Sequence, residues 1–170
     1  LINQSFEGIE APFITINGGD ITAFSSDDCI NATMGGDQMF NDGSKLIING
    51  GYIIVSASSG DAIDSNGDFY VNGGTIIAHG PQSSPEVGVD VNGQFRVNGG
   101  FLIVSGTNSN MTQAPNTAST QRSVVLKTSS QITAGTLFHL EDASGNNLVT
   151  FAPKRRYYSI IFSSSQLTQG

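Results

Sequence analysis

The chain is predicted to be all-β: a right-handed parallel β-helix with a C-terminal β-strand extension or cap. Three observations point there. The tripeptide Asn-Gly-Gly occurs four times, beginning at Asn17, Asn49, Asn72 and Asn98, at spacings of 32, 23 and 26 residues. A short apolar alternation precedes each copy and another follows it, so strand, glycine turn and strand recur at the period of a solenoid. Composition agrees: 170 residues with 21 Gly, no Trp and 7 Lys plus Arg make a turn-rich chain with little helical character.

Before the four glycine turns stand "FITI", "KLII", "DFYV" and "QFRV"; after them stand "DITAF", "YIIVSA", "TIIAHG" and "FLIVSG". Alternate Ile, Val, Leu and Phe positions suit strands with one face turned inward, and Asn and Gly suit the corners. Residues 1–106 are read as the stacked rungs. Between them, 33–44 ("TMGGDQMFNDGS") and 81–86 ("PQSSPE") are read as insertions protruding beside one edge. Asp37 and Asp42 in the first insertion are expected to be solvated. Residues 107–121 ("TNSNMTQAPNTASTQ") are read as a linker or long loop leaving the stack. Residues 122–170 are expected to supply strands ("RSVVLKT", "GTLFHL", "NLVTFA", "YYSIIF") that pack on or cap it, with "EDASGNN" as a hairpin turn.

A second pattern runs in phase with the first. "EGIEA", "DCINA", "DAIDS" and "VGVDV" align on Ile9, Ile30, Ile63 and Val89. The preceding position is small (Gly8, Cys29, Ala62, Gly88), and the following one carries a side-chain oxygen (Glu10, Asn31, Asp64, Asp90). Two residues before the aliphatic stand Glu7, Asp28 and Asp61, a column that Val87 interrupts, and Asp27 lies beside Asp28. Cys29, the single cysteine, is read as a small buried hydrophobe. Equivalent positions on neighbouring parallel strands lie about 4.8 Å apart. Carboxylates at that separation repel by roughly 3 kcal/mol per pair at an effective dielectric near 20. A shared divalent cation removes the conflict, and an all-oxygen ligand set selects calcium over zinc or copper. The candidate ligands are Glu7, Glu10, Asp27, Asp28, Asn31, Asp61, Asp64 and Asp90.

The stretches "SFEGIEA", "INGGDI", "SSDDCINA", "INGGYIIVSASSGDAIDSNG" and "VNGGTIIAHG" resemble the secreted bacterial carbohydrate-binding domains that fold as calcium-loaded, polysaccharide-lyase-like parallel β-helices. The resemblance covers most of residues 2–106. It implies a module, secreted or at the cell surface, that binds cellulose or pectic acid sugars. It also implies calcium ligation by the Asp-Asp-x-Ile-Asn and Gly-Asp-x-Ile-Asp turns, here Asp27, Asp28, Asn31, Asp61 and Asp64. Members usually carry further rungs ahead of the Glu-Gly-Ile-Glu turn and one more strand at the end, so both ends of this chain read as cut or covered by a partner.

Charge narrows the partners. Residues 1–90 carry −11 and residues 91–170 carry +4, within a net charge of −7. A half with Lys45 as its single base argues against a nucleic-acid partner there. No apolar run reaches the length of a membrane-spanning helix, so membrane insertion is not expected. Without Trp, and with many aromatics falling in strand alternations, flat stacking on cellulose is disfavoured and uronic acids are favoured. The basic run at 154–158 ("KRRYY") is expected to be a solvated turn, or to pair with the acidic half across the core, rather than a sugar clamp. A lyase needs a base beside the cation, and the ladder region offers only Lys45 and His79, with Arg96 one rung on; His139 lies in the tail. The expected function is calcium-dependent binding of an acidic polysaccharide, without catalysis. The alternatives are a calcium-stabilised structural or adhesin solenoid that self-assembles through open ends, and a lyase.

Overall fold

The computed structural model describes residues 1–36 and 40–168, and every regular element among them is a strand. Asp37 lies outside the described residues. The first rung is β1 (Ile2–Ser5), β2 (Ile9–Ala11) and β3 (Phe13–Ile16). The second is β4 (Asp20–Ser25), β5 (Ile30–Ala32) and β6 (Lys45–Ile48). The third is β7 (Tyr52–Ala57), β8 (Ile63–Ser65) and β9 (Asp68–Val71). The fourth is β10 (Thr75–His79), β11 (Val89–Val91) and β12 (Phe95–Val97), and β13 (Phe101–Gly106) follows. The chain visits three sheets in rotation. Strands β1, β4, β7, β10 and β13 stack in parallel in the first, β2, β5, β8 and β11 in the second, and β3, β6, β9 and β12 in the third.

Register puts like residues on like residues. Ile53 pairs with Ile76 and Ile76 with Leu102, all fully buried. Leu46, Phe69 and Phe95 form a column in the third sheet, where the two rings stack with centroids 5.2 Å apart. Along β6 and β9 alternate side chains are buried, as a period of two requires. The inward set makes one continuous core, each aliphatic removed from water contributing about 1.5–3 kcal/mol.

The Asn-Gly-Gly corners turn between the third and first sheets. Their second glycines, Gly19, Gly51, Gly74 and Gly100, all have positive φ, between 85° and 105°, where other residues are strained. The asparagines form a ladder: Asn49 Nδ2 donates to Asn17 Oδ1 at 2.8 Å, Asn72 to Asn49 at 2.9 Å and Asn98 to Asn72 at 3.0 Å. Asn72→Ala removes two of these exposed bonds and is expected to cost about 1 kcal/mol, measured by urea unfolding.

The tail completes the first sheet. After β14 (Ser123–Ile132), β15 (Phe138–Glu141) and β16 (Asn147–Phe151), strand β17 (Tyr157–Ser163) pairs antiparallel with β13, and β14 pairs antiparallel with β17. Strands β15 and β16 form a hairpin whose turn is held by Asp142 Oδ1, which accepts from the backbone N–H groups of Ser144 and Asn146.

Two expectations change. Residues 107–121 hold no regular element, as in a long loop, but lie across the last rung of the stack instead of leaving it: Asn116 N–H donates to Phe95 O, and Gln121 N–H to Val97 O. Their polar side chains satisfy strand edges that would otherwise be left open. Nor do all the strand aromatics point inward. Phe13 is 66 % exposed and Tyr52 46 %, because each opens its strand ahead of the first inward position.

Candidate metal centre

The candidate ligands lie on the second sheet and on the corner leading into it. Register pairs Glu10 with Asn31, Asn31 with Asp64, and Asp64 with Asp90, one residue per rung. These four positions therefore face the same way. The position before the aliphatic must be small because the next rung's backbone passes there: a Cβ on Gly8 would collide with the carbonyl of Cys29. Cys29 and Ala62 continue that column fully buried, as read from the sequence.

Asp61, Asp64 and Asp90 come together, each offering a carboxylate oxygen within 4.8 Å of the others. Asp28 sits one rung away, its Oδ1 accepting the Asp61 N–H at 2.7 Å. Asp61 in turn accepts the Val87 N–H. Glu7 is near enough to the ladder to feel the charges of Asp28, Asp27 and Glu10. Glu10 is exposed at the first rung, and Asp27 lies against Gly60 beside Asp28. The group is thus a compact trio with Asp28 adjoining, and Glu7, Asn31, Asp27 and Glu10 extend it toward the first rung.

Two residues outside the aligned columns also belong here. The Glu86 charge acts on both Asp28 and Asp61. Glu86 stands immediately before Val87, so the acid missing from the column is found one position earlier. Gln113, from the segment across the stack end, donates from Nε2 to Asp90 Oδ1 at 3.0 Å and to Val91 O at 3.1 Å. Nothing in its local sequence marks it. Asp42 is not a ladder residue, and it is not simply solvated: its carboxylate braces its own loop, accepting from Met34 N–H at 2.7 Å and Ser44 N–H at 2.8 Å.

The electrostatics are unbalanced. Among the described residues none of these carboxylates is in a salt bridge. Burial, then the charges of Asp28, Asp61 and Asp90, pushes the Asp64 carboxyl up to about 9. Burial likewise pushes Asp61 to about 8 and Asp28 to about 6, although in each a backbone N–H donor pulls the other way. Burial and neighbouring carboxylates push Glu7 to about 7. Burial also raises Asp90, and it raises Glu86 together with the charges of Asp90 and Asp27.

Two buried oxygens of the ladder have no hydrogen-bond donor among the described residues: Asn31 Oδ1, on a residue only 6 % exposed, and Glu7 Oε2. An orphaned buried acceptor is costly unless something electropositive meets it. Three clustered carboxylates, a buried amide oxygen with no donor and the absence of a basic counter-ion fit a hard divalent cation.

Gly60 closes the corner. A Cβ there would overlap Asp27 Oδ1, Asp28 Oδ1 and the Asp28 backbone nitrogen. Gly60→Ala is expected to cost about 1–3 kcal/mol by overpacking and to weaken cation affinity by displacing both carboxylates. Denaturant unfolding with and without cation separates the two effects. No protein-family model matches this chain, and neither a curated protein nor a solved structure shows detectable similarity to it.

Proposed function

We propose that the three sheet stacks form a right-handed parallel β-helix whose acidic ladder holds calcium, and that the chain is a secreted, calcium-dependent binding module for acidic polysaccharide. The hand follows from the strong preference of parallel crossover connections for right-handedness. Calcium takes six to eight oxygens at 2.3–2.6 Å, so ligands on opposite sides of the ion are separated by roughly 5 Å at most. The carboxylate oxygens of Asp61, Asp64 and Asp90 fall within 4.8 Å of one another, and Asn31 adds an amide oxygen. That unpartnered oxygen, set in a ladder without cations of its own, is the observation that carries the metal assignment. Asp28 and Glu7 are positioned to complete the shell, with Asp27, Glu10 and Glu86 supplying long-range negative potential.

Acidic sugar is the favoured ligand because uronate carboxylates can fill coordination positions the protein leaves open. The sequence resemblance supports the same ligand class. Binding rather than catalysis is favoured because no Lys, Arg or His forms a salt bridge with the ladder among the described residues. Affinity electrophoresis in polygalacturonate gels tests this function. Retardation that needs calcium and vanishes with chelator is expected; equal mobility in both contradicts it, and a rise in absorbance from unsaturated uronate reveals a lyase instead. One observation favours a second reading, a calcium-stabilised self-assembling solenoid. Strands β1, β2 and β3 are each paired on one side only among the described residues, and unpaired edges accept further strands. Chelator-sensitive fibres in electron micrographs would establish it.

A further inference from the structure

A second polar site lies where the first sheet turns toward the ladder. It is a cleft of about 500 Å³, within the range of small-ligand pockets, bounded by Gln4, Phe6, Phe24, Ser26, Ser58 and Arg155. The tail supplies Arg155. Its Nε donates to Ser56 Oγ at 3.2 Å, which fixes the guanidinium plane, and it forms no ion pair among the described residues. Lys154 Nζ sits 5.5 Å from the centre of the Phe24 ring, and Arg156 Nε donates to Gln82 Oε1 at 2.8 Å. Lys154 and Arg156 stay exposed at a bend, as expected of a solvated turn, while the half-buried Arg155 is docked against the body of the protein.

The opposite wall is shaped by an irregularity. Gln4 has φ of 64°, the one non-glycine residue with positive φ among the described residues, and the β1–β4 register slips between Asn3 and Ser5. A bulge of this kind re-aims the neighbouring side chains. Phe6 beyond it is 71 % exposed. Exposed ring, hydroxyls, amides and a fixed guanidinium together suit a ligand with apolar C–H faces, many hydroxyls and one planar anion. A sugar acid has all three; the fork of Arg matches its carboxylate with two parallel N–H donors. The acids Glu7 and Asp27 directly follow Phe6 and Ser26 in sequence, so the cleft lies next to the acidic ladder.

We propose that this cleft binds a uronate residue of the polysaccharide, with the Arg155 guanidinium gripping the carboxylate and Phe6 and Phe24 flanking the ring. The assignment rests on the acidic-polysaccharide function proposed above and locates its sugar site. The test is calorimetric titration of trigalacturonate, and of its fully methyl-esterified form, into the full chain in millimolar calcium, comparing wild type, Arg155→Gln and Arg155→Lys. Expected are binding of the acid by wild type, a loss of about tenfold or more in Arg155→Gln, and a smaller loss in Arg155→Lys, which keeps the charge without the fork. The ester should bind wild type and Arg155→Gln equally weakly. An unchanged calcium-dependent melting shift in each variant shows the ladder intact; the acid–ester comparison on wild type needs no variant. Equal acid binding by wild type and Arg155→Gln overturns the cleft and leaves the acidic-glycan function standing. Ester binding as tight as acid binding overturns carboxylate recognition. No binding of either by wild type overturns cleft and glycan function together.

Discussion

In saturating calcium the chain is expected to melt about 5–11 °C higher than in chelator. A ligand that binds only the native state at a hundred times its dissociation constant adds about 2.7 kcal/mol, and for a chain of this size each kcal/mol moves the midpoint by roughly 2–4 °C. The increment depends on Asp64, which stands between Asn31 and Asp90 in register and shares the carboxylate cluster with Asp61 and Asp90. Asp64→Asn should abolish most of the calcium shift. In chelator at neutral pH it should not destabilise the protein and is expected to raise its midpoint, because a carboxyl raised to about 9 must take up a proton on folding and an amide need not. Few core substitutions change the sign of their effect with one added ion. Scanning fluorimetry of both proteins, with and without calcium, reads all four midpoints.

The metal-free chain should lose stability as pH rises from about 4 to about 9, the reverse of ordinary acid denaturation. Asp64 and Asp61 have folded-state values near 9 and 8, and Asp28 near 6, all above the unfolded value of 3.8. Within that interval the folded state binds more protons than the unfolded one, so unfolding free energy falls as pH rises. The contribution is fully present below the unfolded values and gone above the folded ones. Each fully differential carboxyl tilts the curve by about 1.4 kcal/mol per pH unit. With calcium bound the fall should be abolished over the same range, because the ion displaces protons from its ligands and leaves the folded carboxyls as deprotonated as the unfolded ones. Thermal midpoints between pH 4.5 and 9, in chelator and in calcium, should therefore diverge steadily.

Sequence periodicity disclosed most of this architecture, since a rung repeats its chemistry in register. Asn-Gly-Gly marks a corner needing positive φ, and the aligned Ile9, Ile30, Ile63 and Val89 mark strands of one sheet. The column of Glu10, Asn31, Asp64 and Asp90 was legible for the same reason, because parallel pairing converts sequence phase into spatial stacking. What escaped lies where phase is lost. Glu86 follows an insertion and sits one place out of its column, yet its charge reaches Asp28 and Asp61. Gln113 and Arg155 reach their partners, Asp90 and Ser56, from segments with no repeat. Their placement comes from tertiary packing of the tail, which no local periodicity encodes. The exposed Phe6 and Phe13 belong to the first rung, whose outer side has no strand against it among the described residues.

The most direct measurement is calcium titrated calorimetrically into chelator-stripped protein at pH 7, in two buffers of different ionisation heat. Saturable binding with net proton release is predicted, because carboxyls raised to about 8 and 9 must ionise to take the ion. The Asp64→Asn variant should show weaker binding and less release. No saturable heat in either buffer, or binding that leaves proton count and Asp64→Asn unaffected, would contradict a cation held among Asp61, Asp64 and Asp90.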